Sequence, residues 1–386
     1  MFKEPFNSLL EENAVAVLED FKGDWPIQSL RLKILSQTSQ LEKETVKVKY
    51  GTPYIGGTIP KEKDCEYRET NLRDFCKIVS EETSPKHQFH YLAYQHMIHT
   101  TVLKDYLPNF SWDWAGLPGR SLDATTLWIG TAGSFTPVHK DTYGCNLHHQ
   151  VEGRKEWLLW PPEYNLSPTR FPYEESSVFS SVDVRGDSNI MGDALRVVLE
   201  PGQTIFIPKH WWHLVTALDG SVSVNTWVEL PCDRWDQVSE AITRMIVCGV
   251  MEGRDGWLNP GEEVGSQDEN RELLRRAVGQ INNGVFNNGV DRVKANTDHW
   301  CVINRGRGTI SHPLKYTESD SESSDRAPLE DSFINSLVDS FETEGNSMLD
   351  IVCRLQGQNT AIETTVDKIV CDKQIMQRLI NAAINK

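Results

Sequence analysis

The sequence predicts a mainly β protein, with an antiparallel β-sandwich or barrel in the middle of the chain and helices before and after it. Three observations carry this. From residue 125, six short β-rich runs follow one another: TTLWIGTAGS, NLHHQVEG, KEWLLWPP, ALRVVLEPGQTIFIP, HWWHLVTAL and SVSVNTWVEL. Turn signals punctuate the region at Glu152-Gly153, Pro161-Pro162, Pro201-Gly202 and Asp219-Gly220. Few helical patterns separate the runs, so consecutive strands are left to pair with one another.

Taken in order, residues 1–84 read as an N-terminal α/β extension, with helices expected over Pro5–Phe21 and Asn71–Glu82. Residues 85–250 form the β core with a trailing helix, in which RWDQVSEAITRMIVCGVM spaces Val238, Ile242, Ile246 and Val250 four apart. Residues 251–315 are a helical and irregular extension, with a helix expected over Glu269–Ile281 and then the Asn/Gly-rich NNGVFNNG. Residues 316–331, YTESDSESSDRAPLED, are acidic and nearly free of apolar side chains, which predicts a disordered linker. Serines beside acids there would suit an acid-directed kinase, although such patterns arise readily by chance. Residues 332–386 return to helix, with Ile369, Ile375, Leu379, Ile380 and Ile384 as an apolar stripe for packing on the body or on a second copy.

Composition narrows the function. The 386 residues are 39% hydrophobic and 24% charged, which suits a globular protein, and no run of about 18 apolar residues suggests a membrane span. The N-terminus lacks a cleavable apolar core, so the expected compartment is the cytosol, with the nucleus as second choice. A net charge of -16 argues against a nucleic-acid partner, which would need clustered Lys and Arg. The eight cysteines are scattered with no C-x-x-C, so reduced thiols are expected and a structural zinc is not.

The chemistry gathers around TPVHKDTYGCN, residues 136–146. H-x-D alone is a weak signal. On a strand, however, residues i and i+2 share a face, so His139 and Asp141 can offer an imidazole and a carboxylate to one point. Two histidines and one carboxylate leave positions open on an iron ion for co-substrate and oxygen. For the third ligand, His213 and His210 of PKHWWHLVTA compete, and spacing alone does not separate them. In NLHHQVEG adjacent residues face opposite ways, so at most one of His148 and His149 looks inward, the other being expected at the surface.

Further polar residues point the same way. Alternation in RKEWLLW places Lys155 with Trp157 and Leu159, and a lysine on an apolar strand face needs an anion, from the protein or from a ligand. In SVSVNTWVE, Ser223, Asn225 and Trp227 share a face, which suggests a lined cavity in place of a filled core.

FTPVHKDTYGCN, VEGRKEWLLWPP and IPKHWWHLVTALDGSVSVNTW together resemble a JmjC domain, over about residues 85–250. The resemblance implies a double-stranded β-helix of the cupin or jelly-roll type, an Fe(II) cofactor, 2-oxoglutarate as co-substrate, and a dioxygenase that hydroxylates protein or, more rarely, RNA. It implies iron ligands at His139, Asp141 and His213, a co-substrate lysine at Lys155, a helper threonine at Thr136 and an asparagine at Asn225. Asn146 matches a family asparagine only with one extra residue after Asp141. Tyr91 fits the family's upstream tyrosine, with Tyr94 as runner-up. TLWIG, PTRFPYEESSVFS, HWWH and EAITRMIVC are similar to the branch associated with a small heat-shock protein, which implies that partner and a role in stress. The readings to weigh are a protein hydroxylase, a non-catalytic adaptor for a small heat-shock protein, and an RNA-modifying oxygenase, the last disfavoured by the acidic charge.

Overall fold

The computed structural model describes residues 9–10, 13–18, 25–61, 64–81, 87–107, 109–117, 119–230, 233–250, 257–259, 263–282, 300–302 and 362–384. The expected linker at 316–331 and the NNGVFNNG stretch after its first residue lie outside them. Contacts divide the chain into two units. Unit 1 comprises Met1–Asn165, Val182–Leu230 and Asp291–Arg307, and unit 2 comprises Leu166–Ser181, Pro231–Val290 and Gly308–Lys386.

The described strands are β1 (Ala16–Leu18), β2 (Thr45–Gly51), β3 (Glu66–Asn71), β4 (Phe89–His96), β5 (Thr126–Gly130), β6 (Phe135–Asp141), β7 (Cys145–Glu152), β8 (Lys155–Trp160), β9 (Pro168–Glu174), β10 (Ser177–Ser180), β11 (Leu195–Leu199), β12 (Thr204–Ile207), β13 (Trp212–Ala217), β14 (Ser221–Val228) and β15 (Trp300–Val302). The longer helices are α1 (Leu72–Ser80), α2 (Arg234–Val250), α3 (Gln267–Asn282), α4 (Ile362–Val370) and α5 (Lys373–Ile384).

Unit 1 is a jelly-roll core of two antiparallel sheets. One runs β15-β1-β12-β7-β14-β5-β4-β2-β3, and the other carries β11-β8-β13-β6. Alternation sorts the side chains. On β7 and β14, Leu147, Val151, Val222 and Val224 turn toward one apolar cluster, where they meet Phe75, Cys76 and Val79 of α1. A second cluster joins Trp157, Leu159 and Val215 of the smaller sheet to Ile205 and Ile207 of the larger one. The middle strands of the larger sheet are therefore buried on both faces, and the site described below lies between the two sheets, its candidate ligands on β6 and β13 of the smaller one.

Helix α1 begins where the sequence places it: Asn71 caps it by accepting the backbone N–H of Asp74 at 2.9 Å. The helix expected over Pro5–Phe21 is corrected over 16–18, while 5–8, 11–12 and 19–21 lie outside the described residues. Ala16–Leu18 is a strand, pairing Ala16 with Phe206. Val15, Ala16 and Val17 are all buried, with Ala16 facing one apolar cluster and Val15 and Val17 the other, and only an extended chain sends neighbours to opposite faces. Strands β2 and β3, from the segment read as an N-terminal extension, join the large sheet through β4.

In unit 2, Val238, Ile242, Ile246 and Val250 of α2 share one apolar cluster with Ile369, Ile375, Leu379 and Ile380 of α4 and α5. A capping box starts α3, with Ser266 N–H donating to Glu269 Oε2 at 2.7 Å and Glu269 N–H donating to Ser266 Oγ at 3.3 Å. No described helix is long and apolar enough to cross a membrane.

Candidate metal centre

The site starts from a proline. Pro137 has no N–H to give to a sheet ladder, and β6 bulges around it: Thr136 pairs with Val215 and His139 with His213, leaving two residues on β6 opposite one on β13. In a regular strand Thr136 and His139 would face opposite ways. The extra residue lets both look into the same interior.

His139, Asp141 and His213 offer ligand atoms that all lie within 4.8 Å of one another, and all three side chains are buried. The two imidazoles face each other across the β6–β13 ladder with ring centroids 4.1 Å apart. Each is held in the same local way. His139 Nδ1 is 2.8 Å from the Pro137 carbonyl and His213 Nδ1 is 2.9 Å from the Trp211 carbonyl, in both cases two residues back along the strand. A carbonyl only accepts, so Nδ1 carries the proton and Nε2 keeps its lone pair for a metal. Burial pushes the His213 imidazolium far below its usual range, which keeps that ring neutral and ready to coordinate.

Asp141 Oδ2 accepts the Trp227 indole N–H at 3.2 Å, while Oδ1 lies 4.0 Å from His139 Nε2. Burial raises the Asp141 carboxyl above its ordinary value, only partly opposed by His139 and by the indole N–H. A buried carboxylate beside two imidazoles is a costly arrangement without a cation, and this donor set fits a divalent transition ion such as Fe(II). His210, the rival ligand, does not join the group. Its backbone is left-handed (φ 70°), its Nε2 donates to the Thr142 carbonyl at 2.8 Å, and its N–H donates to the Asp141 carbonyl at 2.9 Å. It fastens the turn after Asp141. Strand register, which spacing does not reveal, separates the two histidines.

Lys155 stands at the start of β8, opposite Ala217, four residues (roughly 13 Å) along β13 from His213. It is 1% exposed, and its Nζ donates to Ser223 Oγ at 2.7 Å. The rings of Tyr91 and Trp128 lie 5.7 and 5.9 Å from it. Burial lowers the ammonium to about 7. Tyr91 Oη is 3.5 Å from Thr136 Oγ1, so the expected tyrosine and threonine meet near the lysine. Tyr94 instead sits in a left-handed backbone (φ 53°) with its ring 4.5 Å from that of Trp128. Asn225 and Asn146 are paired, Asn225 Nδ2 donating to Asn146 Oδ1 at 3.0 Å, and Trp128 Nε1 donates to Asn225 Oδ1 at 2.7 Å.

The expectation that one of His148 and His149 lies at the surface is corrected: both are buried. His148 faces the interior beside Trp157, with ring centroids 4.9 Å apart. His149 faces the other way, donating to or accepting from Thr204 Oγ1 at 2.8 Å and packing on Trp25 at 4.9 Å. The cover supplied by Trp25 comes from far upstream, so strand alternation could not reveal it. Trp128 and Trp157 were likewise not singled out as site residues. For Trp227 the only signal was a shared face with Asn225.

The cupin-like domain family matches residues 3–234. HSPB1-associated protein 1 of Bos taurus is 38% identical over 288 residues, 68% of this chain and 59% of its own length, so the chain spans less than two thirds of that relative. The 2-oxoglutarate and iron-dependent oxygenase JMJD4 of Homo sapiens is 33% identical over 129 residues, 31% of each chain. The bifunctional peptidase and (3S)-lysyl hydroxylase JMJD7 of Homo sapiens is 29% identical over 141 residues, 30% of this chain and 44% of its own. With the jelly-roll core and the His-Asp-His group in place, the chain belongs to the cupin-like family as a JmjC-type member.

Proposed function

We propose that this chain is an Fe(II)- and 2-oxoglutarate-dependent dioxygenase, a protein hydroxylase, which works with a small heat-shock protein in the stress response. The observation that carries the reading is the convergence of His139, Asp141 and His213 in one interior with a buried Lys155 that has no carboxylate partner among the described residues. His139 and His213 would hold the iron through Nε2, and Asp141 through the oxygen not engaged by Trp227. When bound, iron and co-substrate supply the oxidising chemistry: O2 is consumed, 2-oxoglutarate yields succinate and carbon dioxide, and one oxygen atom enters a substrate C–H bond.

The rest falls to the chain. Lys155 pairs with the distal carboxylate of the co-substrate, and the Tyr91 and Thr136 hydroxyls add hydrogen bonds there. Asn225 and Asn146 bound the other end, and the indoles of Trp128, Trp157 and Trp227 keep water out. The names of the JMJD4 and JMJD7 relatives support the activity class, and the HSPB1-associated relatives support the partner.

The test is to incubate the full chain aerobically with Fe(II), 2-oxoglutarate and a small heat-shock protein. Succinate should appear above the level of an Asp141→Ala control, and the substrate protein should gain the mass of one oxygen atom. A second reading, a non-catalytic adaptor, draws on the association stated in the relatives' names. It predicts capture of the heat-shock protein with no succinate.

A further inference from the structure

Strand β7 sends Asn146, His148 and Gln150 to one face and Leu147, His149 and Val151 to the other, the latter set lying against the outer core. His148 is 4% exposed and stands opposite Asn225 on β14 and Ile205 on β12. Its ring meets Trp157 edge-on at 4.9 Å, and Trp157 stacks 5.9 Å from His213. Both Lys155 and His213 lie close enough to act on it electrostatically. His148 thus lines the interior that runs from the iron ligands to the lysine.

Its Nε2 is buried and has no hydrogen-bond partner among the described residues. The Trp157 indole N–H is orphaned in the same way. Other buried polar atoms among the described residues also lack partners, but these two line the interior that holds the candidate ligands, and each calls for an explanation. An indole only donates, and a neutral imidazole with its proton on Nε2 donates as well, so the group that satisfies these two atoms is an acceptor, whereas Gln150 Oε1, orphaned farther along β7, calls for a donor of its own. Burial beside Lys155 keeps His148 neutral, so it adds a hydrogen bond without adding charge.

We propose that His148 is a further contact for the dicarboxylate co-substrate, its Nε2–H donating to a carboxylate oxygen of the anion whose charge Lys155 balances. This rests on the reading of the interior as a 2-oxoglutarate site. None of the residues assigned above to the co-substrate accounts for the orphaned nitrogen, whereas a carboxylate oxygen does.

The experiment is calorimetric titration of 2-oxoglutarate into the full chain loaded with Mn(II) in place of iron, comparing wild type with His148→Leu and His148→Gln, and recording the melting temperature of each without ligand. His148→Leu should bind about ten- to a hundredfold more weakly. His148→Gln, which keeps an N–H donor, should recover most of that loss. The ligand-free melting temperature of His148→Leu should equal or exceed that of wild type, since an orphaned polar atom has been removed. If the leucine variant fails to fold, His148→Phe keeps the ring outline without a donor and replaces it. Wild-type affinity in the leucine or phenylalanine variant would overturn the proposal. So would a weakened variant that also melts lower and is not recovered by glutamine, which would mark a packing role. Absence of 2-oxoglutarate binding by the wild type would instead overturn the co-substrate reading itself, and this inference with it.

Discussion

The two units bury charge in opposite ways. In unit 2, Arg170 and Glu240 form a closed pair: Nη1 donates to Oε2 at 2.9 Å and Nη2 donates to Oε1 at 2.5 Å, with Tyr173 Oη donating to Oε1 at 2.8 Å. Asp367 is closed as well, accepting the Arg170 N–H at 2.8 Å and the Thr169 hydroxyl at 2.7 Å. In unit 1, Lys155 is fully buried and Asp141 nearly so, but the two stand apart, and among the described residues no oppositely charged side chain is hydrogen-bonded to either. A buried pair whose charges are bonded to each other holds a fold together, even with Arg170 Nε left without a partner among the described residues. Buried charges of both signs that face one interior without meeting describe the ligand that would sit between them: a cation at the carboxylate and an anion at the lysine.

That contrast can be broken by substitution. Glu240→Ala leaves Arg170 buried and uncompensated and should cost about 3–5 kcal/mol of unfolding free energy, read by denaturant melts of the full chain. Lys155→Met should do the reverse. With the desolvated ammonium gone, the ligand-free protein should be at least as stable as wild type, while 2-oxoglutarate affinity falls by about 2–5 kcal/mol in titration calorimetry. A clear loss of stability in Lys155→Met would place the lysine with Arg170 as a structural charge.

The acid–base behaviour sharpens the same point. The Lys155 ammonium titrates at about 7 in the folded protein, against 10.5 ordinarily. Between those values the unfolded chain holds a proton that the folded chain has released, so ligand-free stability should rise with pH across that window. Co-substrate affinity should move oppositely, weakening as pH rises above about 7, because the anion needs the charged form. Affinity that stays flat from pH 6 to 9 would detach Lys155 from the co-substrate. A smaller effect is expected at Trp227. Trp227→Phe removes the N–H that holds Asp141 Oδ2 and should weaken metal binding by about tenfold without abolishing it, as measured by metal titration.

Much of the site was legible because strands repeat every two residues. That period alone puts His139 with Asp141, Lys155 with Trp157, and Ser223 with Asn225 and Trp227. What the period leaves open is which strands become neighbours. The Asp141–Trp227 hydrogen bond joins residues 86 apart and the Tyr91–Thr136 contact joins residues 45 apart, and both depend on sheet order. His213 and His210 separate only once β13 is known to begin at Trp212. The Pro137 bulge shows the limit of counting by twos, since Thr136 and His139 reach the same interior three residues apart. Asp367 meets Arg170 from 197 residues away, a pairing that no local pattern announces.

The central claim is that the unpaired charges of unit 1 form a metal and co-substrate site. Anaerobic titration of the full chain with Fe(II) and then 2-oxoglutarate, following the visible charge-transfer band of the chelate, tests it most directly. The account predicts a saturable band in the wild type, none in Asp141→Ala, and one in Lys155→Met that requires far more co-substrate. A folded wild-type protein that gives no band, or an Asp141→Ala protein that gives the same band as wild type, would contradict it.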